Sequence, residues 1–229
     1  MKLSIIIPTF NERGNIVTLV KEISNALKGV KHEIIFADDS ADDTTNLIME
    51  IAQQYQHIKL SHRKGQRGLA SAVLHAIPMS KAEYIAIMDA DLQHPPSVLP
   101  KLLSAIEGGA DLSVASRYCT NGSDAGLSGP ARRIISKMTR LTAYLVVPSS
   151  RSTSDPLSGF FIYRRSRVGS ANINPVGFKI LLELLAKSEF RRVIDIGFKF
   201  DRRTEENSKA GILEAWNYLR LLWRLRSSK

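Results

Sequence analysis

Two carboxylates one residue apart close a hydrophobic run in this chain. The segment Tyr84-Ile85-Ala86-Ile87-Met88-Asp89-Ala90-Asp91-Leu92-Gln93-His94-Pro95-Pro96 reads as a buried strand that ends in polar groups. In an extended chain, side chains at i and i+2 point the same way. Asp89, Asp91 and the amide oxygen of Gln93 can therefore converge on one point. Three hard oxygen donors suit Mg²⁺ or Mn²⁺, with the remaining positions left to water and phosphate. Capping and a turn before Pro95 are the plainer use of the same residues. His94 is a further ligand by type, although a His there more simply fills the turn. The other histidines, His32, His57, His62 and His75, form no ligand-spaced pair, which speaks against zinc.

A second acidic cluster, Asp38-Asp39-Ser40-Ala41-Asp42-Asp43, follows another apolar run. An early carboxylate there can hydrogen-bond a base or ribose, as acidic residues do in dinucleotide-binding sheets. Asp42 or Asp43 also suits a helix N-cap. Pro8-Thr9-Phe10-Asn11-Glu12 follows the first apolar run and offers backbone and polar groups to a nucleotide pocket, or simply a turn. No G-x-x-x-x-G-K-[ST], G-x-G-x-x-G or G-x-S-x-G occurs, so those routes to ATP hydrolysis, hydride transfer and acyl transfer lose support.

The elements that must position these groups alternate in type. Short β-branched runs at Leu3–Ile7, Glu33–Ala37, Ile58–Leu60, Tyr84–Met88 and Leu112–Ala115 predict strands. Helical spacing predicts helices over Asn15–Leu27, Asp42–Tyr55, Leu69–Ile77 and Val98–Ile106. Such alternation implies a mainly parallel α/β sheet flanked by helices, with ligands beyond the carboxyl ends of the strands. The acidic segments fall at those ends, as does Ser116-Arg117. After residue 118 the pattern changes. Cys119–Pro130 reads as a loop, Arg132–Val147 as a basic helix, Pro148–Asp155 as a polar loop and Gly159–Tyr163 as a strand. Val176–Ala186 reads as a helix, Arg192–Ile196 as a strand and Ile212–Leu225 as a final helix with Trp216 and Trp223.

Composition sharpens this division. The 229 residues carry a formal charge of +10, with 12 Lys/Arg against 14 Asp/Glu in residues 1–125 and 20 against 8 in residues 126–229. An acidic first half suits a cation, and a basic second half suits an anion. Cys119 stands alone, so no disulfide framework exists and a reducing compartment is expected. Aromatic residues make up only 7% and do not interleave with the basic ones, which argues against nucleic acid as a partner. No apolar run of ~20 residues is present to span a membrane.

The motifs together resemble glycosyltransferase family 2, in its polyprenyl-phosphate branch. They are Ile7-Pro8-Thr9-Phe10-Asn11-Glu12, Asp38-Asp39-Ser40, Gly65 with Gly68-Leu69-Ala70, and Asp89-Ala90-Asp91-Leu92-Gln93-His94-Pro95-Pro96. Ser116-Arg117-Tyr118, Arg132-Arg133-Ile134-Ile135-Ser136, Ser154-Asp155-Pro156-Leu157-Ser158-Gly159-Phe160 and Gly177-Phe178-Lys179-Ile180 continue the likeness. It implies a GT-A fold, a Rossmann-like sheet, over residues 1–210. Trp216, Trp223 and the nearby Arg220, Arg224 and Arg226 suit a membrane interface for a C-terminal amphipathic helix in 211–229, while packing on the body or an oligomer interface is the other use of that face.

By that likeness the chain is a metal-dependent, inverting transferase. It moves mannose from GDP-mannose to a polyprenyl, dolichyl-type phosphate. Pro8, Phe10, Glu12, Asp38, Asp39, Asp89 and Ala90 would line the donor. Asp89, Asp91 and Gln93 would hold Mg²⁺ or Mn²⁺, and Arg117 would face the sugar or the acceptor phosphate. Apart from the likeness, Arg132, Arg133 and Arg140 on the basic helix suit the acceptor phosphate or anionic headgroups, or simply make a solvated basic face. Phe200-Asp201-Arg202-Arg203 and Ser208-Lys209 occupy the family's phosphate-clamping tail, with Arg203 and Lys209 as the clamp, although its usual Gly is replaced by Glu205-Glu206-Asn207. Asp91, Arg117 and Arg203 are the expected catalytic groups. The expected location is the cytoplasmic face of a membrane, held peripherally or by a segment trimmed from this chain. Two alternatives stay open: transfer of glucose or another sugar from a UDP-sugar, and a non-catalytic basic protein docked on anionic membranes.

Overall fold

The structure is a computed structural model that describes residues 1–126, 130–169, 173–174, 177, 179–200 and 212–227. The elements run β1 (Leu3–Thr9), α1 (Arg13–Ala26), β2 (His32–Asp38), α2 (Thr44–Gln54), β3 (Ile58–His62), α3 (Leu69–Ala76) and β4 (Tyr84–Ile87). They continue with α4 (Leu99–Glu107), β5 (Leu112–Ser116), α5 (Pro130–Val146), β6 (Phe161–Arg164), α6 (Ile180–Lys187), β7 (Val193–Gly197) and α7 (Ile212–Ser227).

The strands form one sheet in the order β3-β2-β1-β4-β6-β5-β7. β6 runs antiparallel to β4 and β5, and the other neighbours pair in parallel. β1 is buried along its whole length, as a strand covered on both faces must be. One face carries Ile16, Leu19 and Ile23 of α1, Ile48 of α2 and Leu99, Leu102, Leu103 and Ile106 of α4. The other carries Ala70, Val73 and Ala76 of α3 and Ile180, Leu181, Leu184 and Leu185 of α6. The chain winds outward from β1 through β2 to β3 and then returns to β4 on the opposite side of β1. The crevice of such a sheet opens where that winding reverses, beyond the carboxyl ends of β1 and β4.

Two expectations shift in detail. The helix read over Val176–Ala186 begins only at Ile180. Gly177 at φ +69° and Lys179 at φ −98°, ψ 56° make an elbow instead of a first helical turn. The polar loop after α5 contains a 3₁₀ turn, Pro148–Ser152. At the start of α2, Asp43 occupies the N-cap position without a capping bond, while Asp42 accepts the Thr44 N–H at 3.0 Å.

Helices α5 and α7 form a third cluster with α6. Ala143, Val147, Leu157, Leu182, Tyr218, Leu221, Leu222 and Leu225 are buried there. The Tyr218 hydroxyl donates to the Thr139 carbonyl and lies 2.9 Å from the Thr142 hydroxyl. The opposite faces are uncovered: Ile134, Ile135, Met138, Leu141 and Leu145 are 51–66% exposed, and Trp216 and Trp223 are 67% and 72% exposed.

Candidate active site

Asp89 and Asp91 stand just past the carboxyl end of β4, as the sequence requires. Met88 N–H still donates to the Ile6 carbonyl at 3.3 Å, so the chain leaves the sheet only at the acidic pair. Leu92 takes φ +59°, a costly conformation for a branched side chain, and the chain turns there. Gln93 N–H donates to Asp91 Oδ1 at 3.2 Å and orients that carboxylate. Gly159, just before β6, makes room for the other one: a Cβ there would sit 2.7 Å from Asp89 Oδ2. Ala90 between them is buried.

Beneath the pair lies His94, in contact with Phe160, Phe198 and Phe200 at ring-centroid distances of 5.4–5.7 Å. Its Nδ1 is 3.4 Å from Asp89 Oδ2. Burial, opposed by Asp91, brings the imidazole pKa down to about 4, so the ring is neutral at pH 7. Among the described residues no group of three His, Cys, Asp or Glu side chains gathers at metal-binding spacing. Asp89, Asp91 and the Gln93 amide are the oxygen-bearing groups that the sequence expects to act together there. Such a partial, all-oxygen set fits a hard divalent cation that keeps water and substrate oxygens in its other positions.

On the β1–β2 side the carboxylates serve the protein first. Asp38 is fully buried. Its Oδ1 accepts from Thr9 Oγ1 at 2.7 Å and Ser40 Oγ at 2.5 Å, and its Oδ2 from Thr45 Oγ1 at 2.6 Å and lies 3.0 Å from His62 Nδ1. Burial pushes its pKa up, but the bonds from Ser40, Thr45, Thr9 and His62 together outweigh it and hold the carboxyl below the usual range. Asp39 receives Arg63 in bidentate fashion, at 2.9 and 2.6 Å, and the Gly68 N–H at 3.0 Å. The two acids thus tie the loops after β1, β2 and β3 together. Asn11, at φ +55°, completes the tie, donating its N–H to Ser40 Oγ and accepting the Ala41 N–H on Oδ1. Glu12 Oε2 accepts from Asn15 Nδ2 at 2.9 Å. Pro8 is the buried partner of Ala37 across β1 and β2. The Arg67 guanidinium lies 4.6 Å from the centre of the Phe10 ring.

Arg117 follows β5 and is held by Asp155 through Nε at 2.8 Å and Nη2 at 2.9 Å. Burial works against its charge, and Asp155 more than restores it, so the guanidinium pKa stands above its ordinary value. The loop that carries Asp155 is fixed in turn by Asp195 of β7, which accepts from Thr153 Oγ1, Ser154 N and Ser154 Oγ at 2.5–2.7 Å. Arg140 of α5 stacks on the Tyr118 ring at 4.0 Å and donates to the Ser154 carbonyl, so it anchors α5 to this loop. Cys119 has its thiol beside the Ser116 and Thr120 carbonyls, and burial raises its pKa, which fits a structural thiol. Arg203 and Lys209 lie outside the described residues, as does the side chain of Arg132.

Sequence reasoning brought Asp89, Asp91, Gln93, Asp38, Asp39 and Phe10 to one rim of the sheet, and the fold places them there. It missed Arg63 and His62 as partners of the acidic pair, Asp155 and Asp195 as the brace of Arg117, and Gly159 as the seat of Asp89. The run Arg63-Lys64-Gly65-Gln66-Arg67 after a strand was the visible signal for the first of these.

The sequence model of the family Glycosyl transferase family 2 matches residues 4–168. The chain belongs to glycosyltransferase family 2. It is 39% identical to a dolichol-phosphate mannosyltransferase of Pyrococcus furiosus, over 98% of this chain and 64% of that protein. The namesake of Saccharomyces cerevisiae is 34% identical, over 98% of this chain and 87% of its own length. Among solved structures, a glucosyl-3-phosphoglycerate synthase of Mycobacterium tuberculosis bound to Mn²⁺, UDP and glucosyl-3-phosphoglycerate superposes with a TM-score of 0.71. That match is 18% identical and covers 99% of this chain and 79% of the other. The fold of this family 2 glycosyltransferase is GT-A. No described helix is long and apolar enough to cross a membrane.

Proposed function

We propose that this family 2 glycosyltransferase moves mannose from GDP-mannose to a polyprenyl phosphate of the dolichyl type, with inversion at the sugar. The observation that carries this reading is the extent of the likeness to dolichol-phosphate mannosyltransferases. It spans 98% of the chain and so takes in the basic second half as well as the acidic rim.

In this reading the nucleoside lies over the loops after β1 and β2, with Pro8, Phe10, Glu12 and Ala90 against it. Asp38 and Asp39 shape that floor through their hydrogen bonds. Asp89, Asp91 and Gln93 hold the Mg²⁺ or Mn²⁺, which supplies Lewis-acid stabilisation of the leaving diphosphate. Arg117, braced by Asp155, faces the reacting phosphates, and Arg132, Arg203 and Lys209 add charge around them. An acceptor phosphate oxygen attacks the anomeric carbon as the bond from that carbon to the diphosphate oxygen breaks. A phosphate monoester with a second pKa near ~6 is largely dianionic at pH 7. No general base is then required, which agrees with a neutral, buried His94.

The uncovered faces of α5 and α7 suit the same reading. Their apolar residues and Trp216 and Trp223 stand beside Arg133, Lys137, Arg220 and Arg226, a pattern that favours the headgroup boundary of an anionic membrane. The protein would thus work at a membrane surface and meet the acceptor's phosphate there.

The test is a donor and acceptor panel. Mannosyl transfer from GDP-mannose to polyprenyl phosphate is expected, with Asp91→Ala lowering it by about 100-fold or more. Preference for UDP-glucose, or full activity of Asp91→Ala, overturns the donor or the metal assignment respectively.

A further inference from the structure

His94 stands three residues past Asp91 and has no part in the transfer proposed above. It is buried, and its ring is held by Phe160, Phe198 and Phe200. Phe160 lies just before β6, and Phe198 and Phe200 lie just after β7. One ring therefore pins the loop after β4 to the ends of two further strands. The loop after β5 joins the same assembly. Ser123 N–H donates to the Phe198 carbonyl at 2.9 Å, and Phe200 N–H donates to the Ser123 carbonyl at 3.0 Å. The Arg117 guanidinium lies 5.4 Å from the centre of the Phe200 ring. A side chain packed among three rings in a dense interior keeps one orientation.

An apolar side chain would fill that cage without leaving a polar atom dry. The imidazole does leave one: Nδ1 is buried and, among the described residues, makes no hydrogen bond. Buried polar atoms are nearly always paired, because an unpaired one has lost its hydration for nothing. Yet Nδ1 has an acceptor close by, since it lies 3.4 Å from Asp89 Oδ2. The same oxygen is the one that a Cβ on Gly159 would approach to 2.7 Å, so the missing side chain at 159 admits it. Gly159 and His94 thus border one oxygen of Asp89, and Phe160, the neighbour of Gly159, is one of the rings that hold His94. A charge-assisted hydrogen bond closes at about 2.8 Å. A small rotation of the carboxylate brings Asp89 Oδ2 within that reach.

A carboxylate that gives an oxygen to a cation can still turn about its own axis unless an outer partner fixes it, and such partners tune the affinity of a metal site. We infer that His94 is a positioning residue: with a divalent cation at the acidic pair, its Nδ1–H donates to Asp89 Oδ2 and fixes the angle at which Asp89 meets the ion. In this role His94 acts through Asp89 and is not itself a ligand. The ring is caged by residues at the ends of β6 and β7, so those strands also set the angle of an acid that β4 carries. This inference rests on the metal assignment proposed above.

The experiment measures Mn²⁺ binding in the presence of GDP, from the electron paramagnetic resonance signal of free Mn²⁺, with thermal melting of each metal-free variant alongside. His94→Leu fills the cage without a donor, whereas His94→Asn keeps a nitrogen donor near the place of Nδ1. His94→Leu is expected to weaken Mn²⁺ binding about tenfold or more, and His94→Asn to recover it to within about threefold. A side chain that only fills the turn gives the reverse order or no difference, because Leu suits a cage of phenylalanines better than Asn does. Should His94→Leu not fold, His94→Gln takes its place, with its amide nitrogen at the position of the other ring nitrogen and the same loss expected. Equal Mn²⁺ affinity in wild type and His94→Leu overturns the inference and leaves the metal assignment standing, and so does a loss that His94→Asn fails to recover. Asp89→Asn is expected to lose at least as much binding as His94→Leu. Full Mn²⁺ binding by Asp89→Asn removes the ligand and the inference with it. If the wild type binds no Mn²⁺ beside GDP, the metal assignment and the inference fall together.

Discussion

Helices α4 and α5 carry the same signal in sequence and meet opposite fates. In α4, Leu99, Leu102, Leu103 and Ile106 recur at helical spacing and are buried against the sheet. In α5, Ile134, Met138, Leu141 and Leu145 recur at the same spacing and are more than half exposed. α5 instead turns Ala143 toward α6 and α7, with Val147 just beyond its end, and fixes itself by polar and stacking contacts of Arg140, Tyr144 and the Tyr118–Ser136 pair. Periodicity says that a stripe has to be covered. It does not say whether the cover belongs to the same chain. A contiguous apolar face of this kind on a folded protein marks a binding surface.

The contrast can be broken at four points, in falling order of effect on stability. Leu102→Ala, in the buried stripe, is expected to cost about 2–5 kcal/mol, read as a lower midpoint in urea. A loss under 1 kcal/mol would mean that α4 is not seated as described. Asp38→Asn comes next, because it leaves donors from Thr9, Ser40, Thr45 and His62 facing a group that cannot satisfy all of them. A loss of about 1–3 kcal/mol at pH 7 is expected.

Asp38 also gives the acidic rim a pH signature. Its folded pKa lies below the ordinary carboxylate value, so the unfolded chain takes up that proton first on acidification. Its contribution is complete above the unfolded pKa and disappears as pH falls through the folded one. Wild type and Asp38→Asn should therefore converge in stability at low pH. A constant gap from neutral to strongly acid pH would count against the hub.

The third point is Arg140→Ala, which removes the stack on Tyr118 and the bond to the Ser154 carbonyl. It should cost about 1–2 kcal/mol in the same urea titration. The smallest effect on stability, and the sharpest test of the comparison, is the pair Met138→Glu and Leu145→Glu. The double variant should stay within about 0.5 kcal/mol of wild type. It should nevertheless lose most binding to vesicles containing anionic lipid in a flotation assay. A large drop in stability would show that the α5 stripe is covered within the chain after all, and unchanged flotation would remove the membrane reading.

Much of the acidic rim was legible in the sequence because it is local. A β-branched run followed by Asp89-x-Asp91-x-Gln93 fixes strand, end and side together, since the period of an extended chain is two. The same holds for Asp38-Asp39 after β2. The partners of these acids were not legible. Arg63 and Gly68 reach Asp39 from 24 and 29 residues away, Asp155 reaches Arg117 from 38 residues away, and Asp195 reaches Ser154 from 41. Each pairing depends on which strands become neighbours. The chain order does not state that order, and β6 enters antiparallel between β4 and β5.

By itself, then, the sequence determined the alternation of strand and helix, the acidic strand ends, the split of charge between the halves and the family. These follow from composition, period and short motifs, which act over a few residues. Only the tertiary structure decided which apolar stripes are covered, that Asp38 and Asp39 brace loops before they meet any ligand, and that Asp155 holds Arg117. Burial and long-range pairing set those outcomes, because desolvation and close hydrogen bonds depend on what the folded chain brings near, not on what lies next in sequence.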